Sequence, residues 1–511
     1  MSSSLAGAFP GSFDVAIIGG GIIGAGIARD LALRGASVAL VEKGDFGGGT
    51  TSGSTRLIHG GLRYLEMLDF GLVRMDLRER EILLRIAPHL VKPLEFRIPF
   101  VHHSAWFRAK MRVGLALYDA LSFDRSLPGR RFLNAAEALA GEPALTRDGL
   151  QGAGSYFDAQ VRMPERLCLE NLIDAAAHGA VVRNYCAVTG IENASGRVDA
   201  LRLRDADTGE EATLRARVFL NATGAWFDRT QSLCSGQPSR RIRTTKGIHL
   251  TCAPMVNQAN VLFSPVDGRL FFVIPLLGKT WIGTTDTDYS GDPGEVRAED
   301  EDIDYLLRSV EPFFPGVRSL PLYSTNAGVR ALVRQPGAES SVSRVHKVEE
   351  PMPGMISVLG GKITGYRAIA AEAADAAAAS LKLTAASRTA ELPLPGGGPP
   401  PTGEFAALYG SRAAAVQSLA SQYGPVGGEA RFAVRHEFCR HLDDFLLRRT
   451  ENAFAPDCGA SLVPEALAHL ADECGWDDAR RSAERQRFLD AANRAHSSSA
   501  ALRPASPGFV R

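Results

Sequence analysis

The chain has 511 residues with 57 Lys+Arg against 57 Asp+Glu and a formal net charge of zero, room for two or three domains and none of the basic excess of a nucleic-acid binder. Its seven cysteines are scattered with no CxxC pair, which argues against a disulfide framework, an iron–sulfur cluster or a zinc site and fits a reducing cytosol. No apolar run reaches the ~18 residues of a membrane span, and Met1–Ser12 lacks the basic start of a signal peptide, so the sequence reads as cytosolic, or at most bound to the cytosolic face of a membrane.

The segment Phe13-Asp-Val-Ala-Ile-Ile-Gly-Gly-Gly-Ile-Ile-Gly24, running on to Leu40-Val-Glu-Lys43, predicts a strand, a glycine turn, a helix, a second strand and an acid. That order is a dinucleotide cradle. Gly19 makes the tight turn, Gly21 lets backbone approach a pyrophosphate, and Gly24 lets the helix pack close to the strand. The helix N-terminus offers unpaired N–H groups and a positive dipole end to phosphates. Glu42 is placed to accept hydrogen bonds from a ribose and would repel a 2′-phosphate, which disfavours NADP and leaves NAD and FAD open.

A Gly/Ser/Thr-rich loop, Gly44–Gly61, comes next, then helical patterns over 66–90 and 106–123. From Pro164 an α/β rhythm returns: a helix, strands near Val181 and Leu201, and an apolar strand Ala216–Leu220 ending in Asn221-Ala-Thr-Gly224. Residues 243–290 alternate as β segments, and 354–382 read as strand, glycine turn and long Ala-rich helix. Pro/Gly-rich residues 392–401 read as a linker by composition, and 396–402 as the boundary between the domains. Residues 403–495 read as a helical domain and the tail from His496 as disordered. The domain reading is 13–395 for a nucleotide-binding domain interleaved with a cap of about 90–165 and 243–330.

Only one GxGxxG stands at a strand-to-helix junction, whereas a flavoenzyme reduced by a nicotinamide usually needs a second. Two further turns favour FAD. Thr223 and Gly224 follow an apolar strand where backbone can approach a nucleotide, and Gly360-Gly-Lys362 opens a helix whose N-terminus could stabilise charge on a flavin edge.

Taken together, Ile17–Asp30, Leu57-Ile-His-Gly-Gly-Leu-Arg-Tyr-Leu-Glu66, Leu83–Leu90, Thr245-Lys-Gly-Ile-His249, Ile282–Asp286, Ala327-Gly-Val-Arg330, Gly360-Gly-Lys-Ile-Thr364, Arg435-His-Glu437 and Leu447–Thr450 make the chain resemble the FAD-dependent, quinone-linked glycerol-3-phosphate dehydrogenase family. The resemblance implies an α/β fold: a Rossmann-like FAD-binding domain of the glutathione-reductase/p-hydroxybenzoate-hydroxylase type, an antiparallel-sheet substrate domain and a C-terminal α-helical domain. It implies oxidation of sn-glycerol 3-phosphate to dihydroxyacetone phosphate with electrons passed to membrane quinone, from the cytoplasm at the inner face of the cell membrane. A homodimer is left open.

By the same resemblance Arg63, Tyr64, His249, Arg330, Arg344 and Lys362 line the substrate cavity, as suits a phosphate dianion. The cofactor set is Gly19, Gly21, Gly24, Glu42, Lys43, Thr50, Ser54, Thr55, His59, Gly60, Gly61, Thr223, Gly224, Gly360, Gly361, Lys362 and Thr364. His249 is the leading base and Lys362 the alternative, if neighbouring arginines lower its pKa, with Arg330 beside them. Arg56 and His59 are expected to be structural or flavin-facing. The chain departs from the family pattern at Gly53, where an arginine is usual, and at Gly365, where a second threonine is usual.

Trp106–Arg112 interleaves aromatic and basic residues, a pattern that suits an anionic interface or a buried cap helix. Competing readings are an oxidase releasing hydrogen peroxide, an amine or 2-hydroxy-acid oxidoreductase, and a non-catalytic flavin-binding sensor. Arg435–Thr450 is expected as one amphipathic, charge-laced helix.

Overall fold

In a computed structural model, residues 4–334, 346–399 and 402–496 are described. The chain enters as β1 (Ser12–Ile18), crosses by α1 (Ile22–Leu33) and returns as β2 (Val38–Val41). After the long loop come α2 (Phe70–Ile86), β3 (Val91–Val101), α3 (Ala105–Leu121), β4 (Leu150–Val161), α4 (Pro164–Ala177) and β5 (Val181–Arg183). The middle of the chain is mostly strand: β6 (Glu211–Asn221), β7 (Ile242–Cys252), β8 (Ala259–Phe263), β9 (Leu270–Leu276), β10 (Lys279–Gly283) and β11 (Leu322–Val333). Then follow β12 (Lys347–Met352), β13 (Met355–Leu359), α5 (Tyr366–Leu381), α6 (Ala413–His436) and α7 (Asp478–His496).

The first sheet runs β12-β13-β6-β1-β2-β5. All but β12 are parallel, with Val15 beside Val38 on one side and Val218 on the other. Val15, Ile17, Val38 and Leu40 are fully buried beneath α1, α4 and α5, as strands covered on both faces require. The strand order doubles back from β1 to β2 and β6, and ligands bind outside the strand ends at such a switch point.

The second sheet runs β7-β10-β9-β8-β3-β4, with β11 on the far side of β7. It is antiparallel except where β8 lies parallel to β3. It shields the flank of the first domain and brings His249 opposite Asn326 of β11 and Gly283 of β10.

The helical reading over 66–90 breaks near Leu68, which has φ 57°. Asp69 then caps α2 by accepting from Leu72 N at 3.0 Å. The proline–glycine segment is no free tether. Leu394 is buried, the Leu392 carbonyl accepts from Arg29 at 2.8 Å, and Gly396 N donates to Glu170 at 3.1 Å.

The expectation of one amphipathic helix over Arg435–Thr450 is corrected. α6 stops at His436, and the chain turns through Leu442–Asp444 into a π-helical stretch at Phe445–Arg449. The charges that suggested a solvated face are inside: Glu437, His441, Asp444 and Arg449 are all buried. Arg449 forks onto Asp45 at 2.7 and 2.8 Å and Arg166 onto Glu437 at 2.7 and 3.1 Å, so the pattern welds the helical domain to the nucleotide domain.

Candidate active site

A cavity of about 590 Å³ opens at the ends of β1, β2 and β6, inside the ~300–1,000 Å³ range of ligand sites. It runs from Lys43, Tyr185 and Trp226 at one end to Arg330, Gly360 and Lys362 at the other.

The cradle is built by close approach. Gly19 has φ 108°, and a β-carbon there would lie 2.7 Å from the carbonyl of Ala222. A methyl on Gly24 would overlap the Gly19 carbonyl oxygen. No side chain fits either position, and the turn stays open toward the cavity. Glu42 accepts from Gly20 N at 2.8 Å and Gly44 N at 2.9 Å, one bond per oxygen. Each oxygen keeps acceptor capacity for a ribose. Burial pushes the Glu42 carboxyl up, against those two backbone bonds. Lys43 lies 3.7 Å over the Trp226 ring, and burial lowers its pKa. These features fit the adenosine–pyrophosphate half of a dinucleotide.

The Gly44–Gly61 loop lies along the cavity. Thr51 Oγ1 accepts from Ile22 N at 3.1 Å and Thr50 donates to the Val329 carbonyl at 2.6 Å, fixing Thr50, Ser54 and Thr55 on the lining. Arg56 is structural: it is buried and forks onto Glu165 at 2.7 and 3.0 Å. His59 lines the cavity, and its backbone is held on both sides. Its N–H donates to Thr364 Oγ1 at 3.1 Å and its carbonyl accepts from Lys362 Nζ at 2.9 Å. Gly60 N donates to the Tyr118 hydroxyl at 2.9 Å, and that hydroxyl donates to Asp158, which is paired with Arg80 at 2.6 Å.

Of the residues expected to hold a cofactor, Gly19, Gly21, Glu42, Lys43, Thr50, Ser54, Thr55, His59, Thr223, Gly224, Gly360, Gly361 and Lys362 line the cavity. Gly24, Gly60, Gly61 and Thr364 stand one layer behind and shape the turns instead. Of the substrate set, Arg330 and Lys362 line it. Tyr64 is buried against Gly61, with Lys362 Nζ 5.2 Å from its ring centre. Arg344 lies outside the described residues, as does the side chain of Arg63.

His249 needs a correction as a base in direct contact with substrate. It is fully buried, stacked on Trp281 at 4.9 Å, and absent from the cavity lining. Its Nε2 lies 3.0 Å from Thr55 Oγ1, and its Nδ1 has no hydrogen-bond partner among the described residues. Burial, then the charges of Arg330 and Arg56, hold it well below the ordinary histidine range, so it is neutral near pH 7. Lys362 is corrected as well: its close neighbour is the Asp76 carboxylate at 2.7 Å, not an arginine. Arg330 donates to Thr284 Oγ1 at 2.8 Å and pairs with Asp286 at 3.0 Å.

Sequence reasoning missed Thr51, Asp76, Tyr118, Tyr185 and Trp226, and also Asp443, Arg448 and Arg487 of the helical domain, which line the adenosine end. Thr51, Trp226, Asp443 and Arg448 sat inside or beside segments already singled out. The others reach the site only through tertiary packing, and nothing in their local spacing marks them.

A switch-point cavity with a glycine cradle, a carboxylate at the second strand and a glycine turn opening α5 defines a dinucleotide-dependent oxidoreductase fold. Residues 14–379 match the family model of FAD dependent oxidoreductases, and 406–481 match the C-terminal domain of alpha-glycerophosphate oxidase. The chain is 36% identical to a glycerol-3-phosphate dehydrogenase of Synechocystis sp., covering 93% of this chain and 96% of that one. It is also 36% identical to glycerol-3-phosphate dehydrogenase 2 of Mycobacterium tuberculosis, covering 91% and 85%. The crystal structure of the Bacillus halodurans glycerol-3-phosphate dehydrogenase complexed with FAD matches with a TM-score of 0.77 at 28% identity over 95% of both chains. The chain belongs to the FAD-dependent oxidoreductases and, among them, to the glycerol-3-phosphate dehydrogenase family. Its cofactor is FAD.

Proposed function

We propose that the protein oxidises sn-glycerol 3-phosphate to dihydroxyacetone phosphate and passes the electrons to a membrane quinone. The observation that carries this reading is the far end of the cavity, where Arg330 and Lys362 face the same space as Thr55 and His59. Two cations suit a phosphate dianion, and a hydroxyl backed by a neutral imidazole suits an alcohol that must lose its proton. FAD, when bound, supplies the two-electron acceptor for the hydride from C2.

The chain's own residues handle the proton and the charge. The substrate hydroxyl proton passes to Thr55 Oγ1 as the threonine's own proton passes to His249 Nε2, which His249 can accept because it is held neutral. Stacking on Trp281 keeps the ring in that orientation. Arg330, fixed by Thr284 and Asp286, and Lys362 bind the phosphate. In this reading Gly19, Gly21, Glu42, Lys43, Thr50, Thr223 and Gly224 hold the nucleotide half of FAD, and His59, Gly360 and Gly361 stand at the flavin half.

The membrane reading rests on α3. The helix buries Met111, Leu115 and Tyr118 and exposes Trp106 (78%), Val113 (69%) and Leu117. Arg108, Lys110 and Arg112 lie between them. An exposed apolar stripe flanked by cations suits an anionic bilayer surface. Among the described residues no helix is long and apolar enough to cross a membrane.

Anaerobic titration with glycerol 3-phosphate tests the reaction: the flavin absorbance should bleach with one equivalent of ketone product. Absence of bleaching would reject it. Reduction of a quinone analogue without peroxide release distinguishes dehydrogenase from oxidase.

A further inference from the structure

Asp76 is a buried carboxylate that the mechanism above does not use. It projects from α2 toward the glycine turn before α5 and is fully enclosed. Its Oδ2 lies 2.7 Å from Lys362 Nζ, and its buried Oδ1 has no hydrogen-bond partner among the described residues. Burial drives the carboxyl pKa up, and the Lys362 charge opposes that.

Stability alone gives little reason for such a pair, since apolar replacement of a buried ion pair is often neutral or favourable. Nor are the helices short of a clamp. One turn along, Arg367 of α5 forks onto Glu79 of α2, with Arg367 Nε 2.8 Å from Glu79 Oε2. What Asp76 does uniquely is fix Lys362, the lysine at the Arg330 end of the cavity wall. With Asp76 and the His59 carbonyl each accepting from Nζ, two of the three ammonium donors are committed and the third is left for the cavity.

The adjacent backbone leaves room for this. A β-carbon on Gly365 would lie 3.5 Å from Asp76 Oδ1 and 3.3 Å from the Met75 methyl. The φ of −91° at Gly365 is open to any residue, so the constraint there is space and not backbone strain. A larger side chain would press directly on the carboxylate that reaches Lys362.

We propose that Asp76 is a positioning residue for Lys362, holding it as an oriented ammonium toward the anionic end of the substrate, in a pocket that Gly365 keeps free. The inference rests on the glycerol 3-phosphate reading of the site. Asp76 and Tyr64 face the lysine at short range, Asp158 acts on it electrostatically, and Asp69 and His346 contribute through Asp76.

Without the Asp76 acceptor the Lys362 side chain loses the bond that orients it, so anion binding should weaken while the flavin stays bound. The test is binding of inorganic phosphate to the holoprotein at constant pH, followed by perturbation of the flavin spectrum, beside KM and kcat for glycerol 3-phosphate. In Asp76→Asn the phosphate affinity should fall about 10-fold or more, with KM rising more than kcat falls. Asp76→Glu should restore part of it, and Glu79→Gln should lower stability without moving it. Gly365→Val, which crowds the carboxylate, should shift it as Asp76→Asn does and carries the test if the latter does not fold. An unmoved phosphate affinity in the folded variant would overturn the proposal. Failure of the parent protein to be bleached by glycerol 3-phosphate would instead overturn the reading beneath it.

Discussion

A histidine bonded through one nitrogen to Thr55 and without a partner on the other can exchange a proton with the cavity only through the threonine. His249→Ala and Thr55→Val should therefore both lower kcat, by about 10²-fold or more for loss of a general base, with flavin content unchanged. Stopped-flow reduction on the two variants checks this, and normal turnover in either removes it from the relay. Because His249 is held well below its usual range, its base form persists into acid. The reduction rate should then show no acid limb near pH 6.5, and such a limb would assign the proton to another group. Arg330 is placed differently, on the cavity wall with its guanidinium anchored. Arg330→Ala should raise KM for glycerol 3-phosphate about 10- to 100-fold, as loss of charge-assisted hydrogen bonds implies, and leave FAD bound. Equal KM values would count against phosphate recognition there.

At the scale of elements, the segment after α6 governs how the helical domain meets the cofactor cavity. Asp45, three residues past Glu42, is buried; burial opposes its charge, but Arg449 and Arg448 hold its carboxyl well below the ordinary range. Arg449→Leu removes the bidentate partner and leaves Asp45 to Arg448 alone, which should cost about 3 kcal/mol, the low end of the penalty for breaking a buried pair. It should also weaken FAD retention, since Arg448 and Arg487 line the adenosine end. Denaturant melts and flavin release on dialysis measure the two effects, and retention of both would show that the domain merely abuts the site. His441, in the same segment, adds a pH dependence. Burial works against its charge, but Asp207 at 3.3 Å and Glu484 at 2.8 Å outweigh burial and raise its pKa to about 9. Asp444, Arg480, Arg487 and the Tyr185 ring also face it. A folded-state pKa above the unfolded one means that this stabilisation is complete below about pH 6.5 and is lost as pH rises through about 9. Thermal melts from pH 6 to 10 should show that loss, and His441→Gln should flatten it.

For the molecule as a whole, a hydrogen bond ties the helix with the exposed apolar face to the cavity wall. Tyr118 of α3 holds Gly60 N, beside His59 on the cavity wall, while the opposite side of α3 presents Trp106 and Val113 to solvent. A bilayer gripping α3 would lie one helix diameter from the His59 turn, a fitting place for an enzyme with a lipid-soluble acceptor. Trp106→Ser with Val113→Ser should reduce co-sedimentation with anionic vesicles several-fold while leaving reduction by substrate intact. Unchanged partitioning would move the membrane contact elsewhere.

The local half of this protein was legible in the order of its residues. The glycine spacing at 19, 21 and 24 and the acid at 42 were legible because a cradle is made by neighbours in the chain: a turn, a helix end and the next strand. The same holds for α3, whose period alone announces two faces. The tertiary structure decided what depends on distant partners. Arg435–Thr450 reads as a solvated helix because charge is ordinarily exposed, yet Glu437, His441 and Arg449 are buried against Arg166, Asp207 and Asp45, residues hundreds of positions earlier. His249 reads as a base by residue type, yet one threonine separates it from the cavity. Lys362 reads as a lysine among arginines, yet its partner is Asp76, 286 residues away. Residue type sets what chemistry a side chain can do, and only the packing of remote segments sets its charge, its neighbour and its reach.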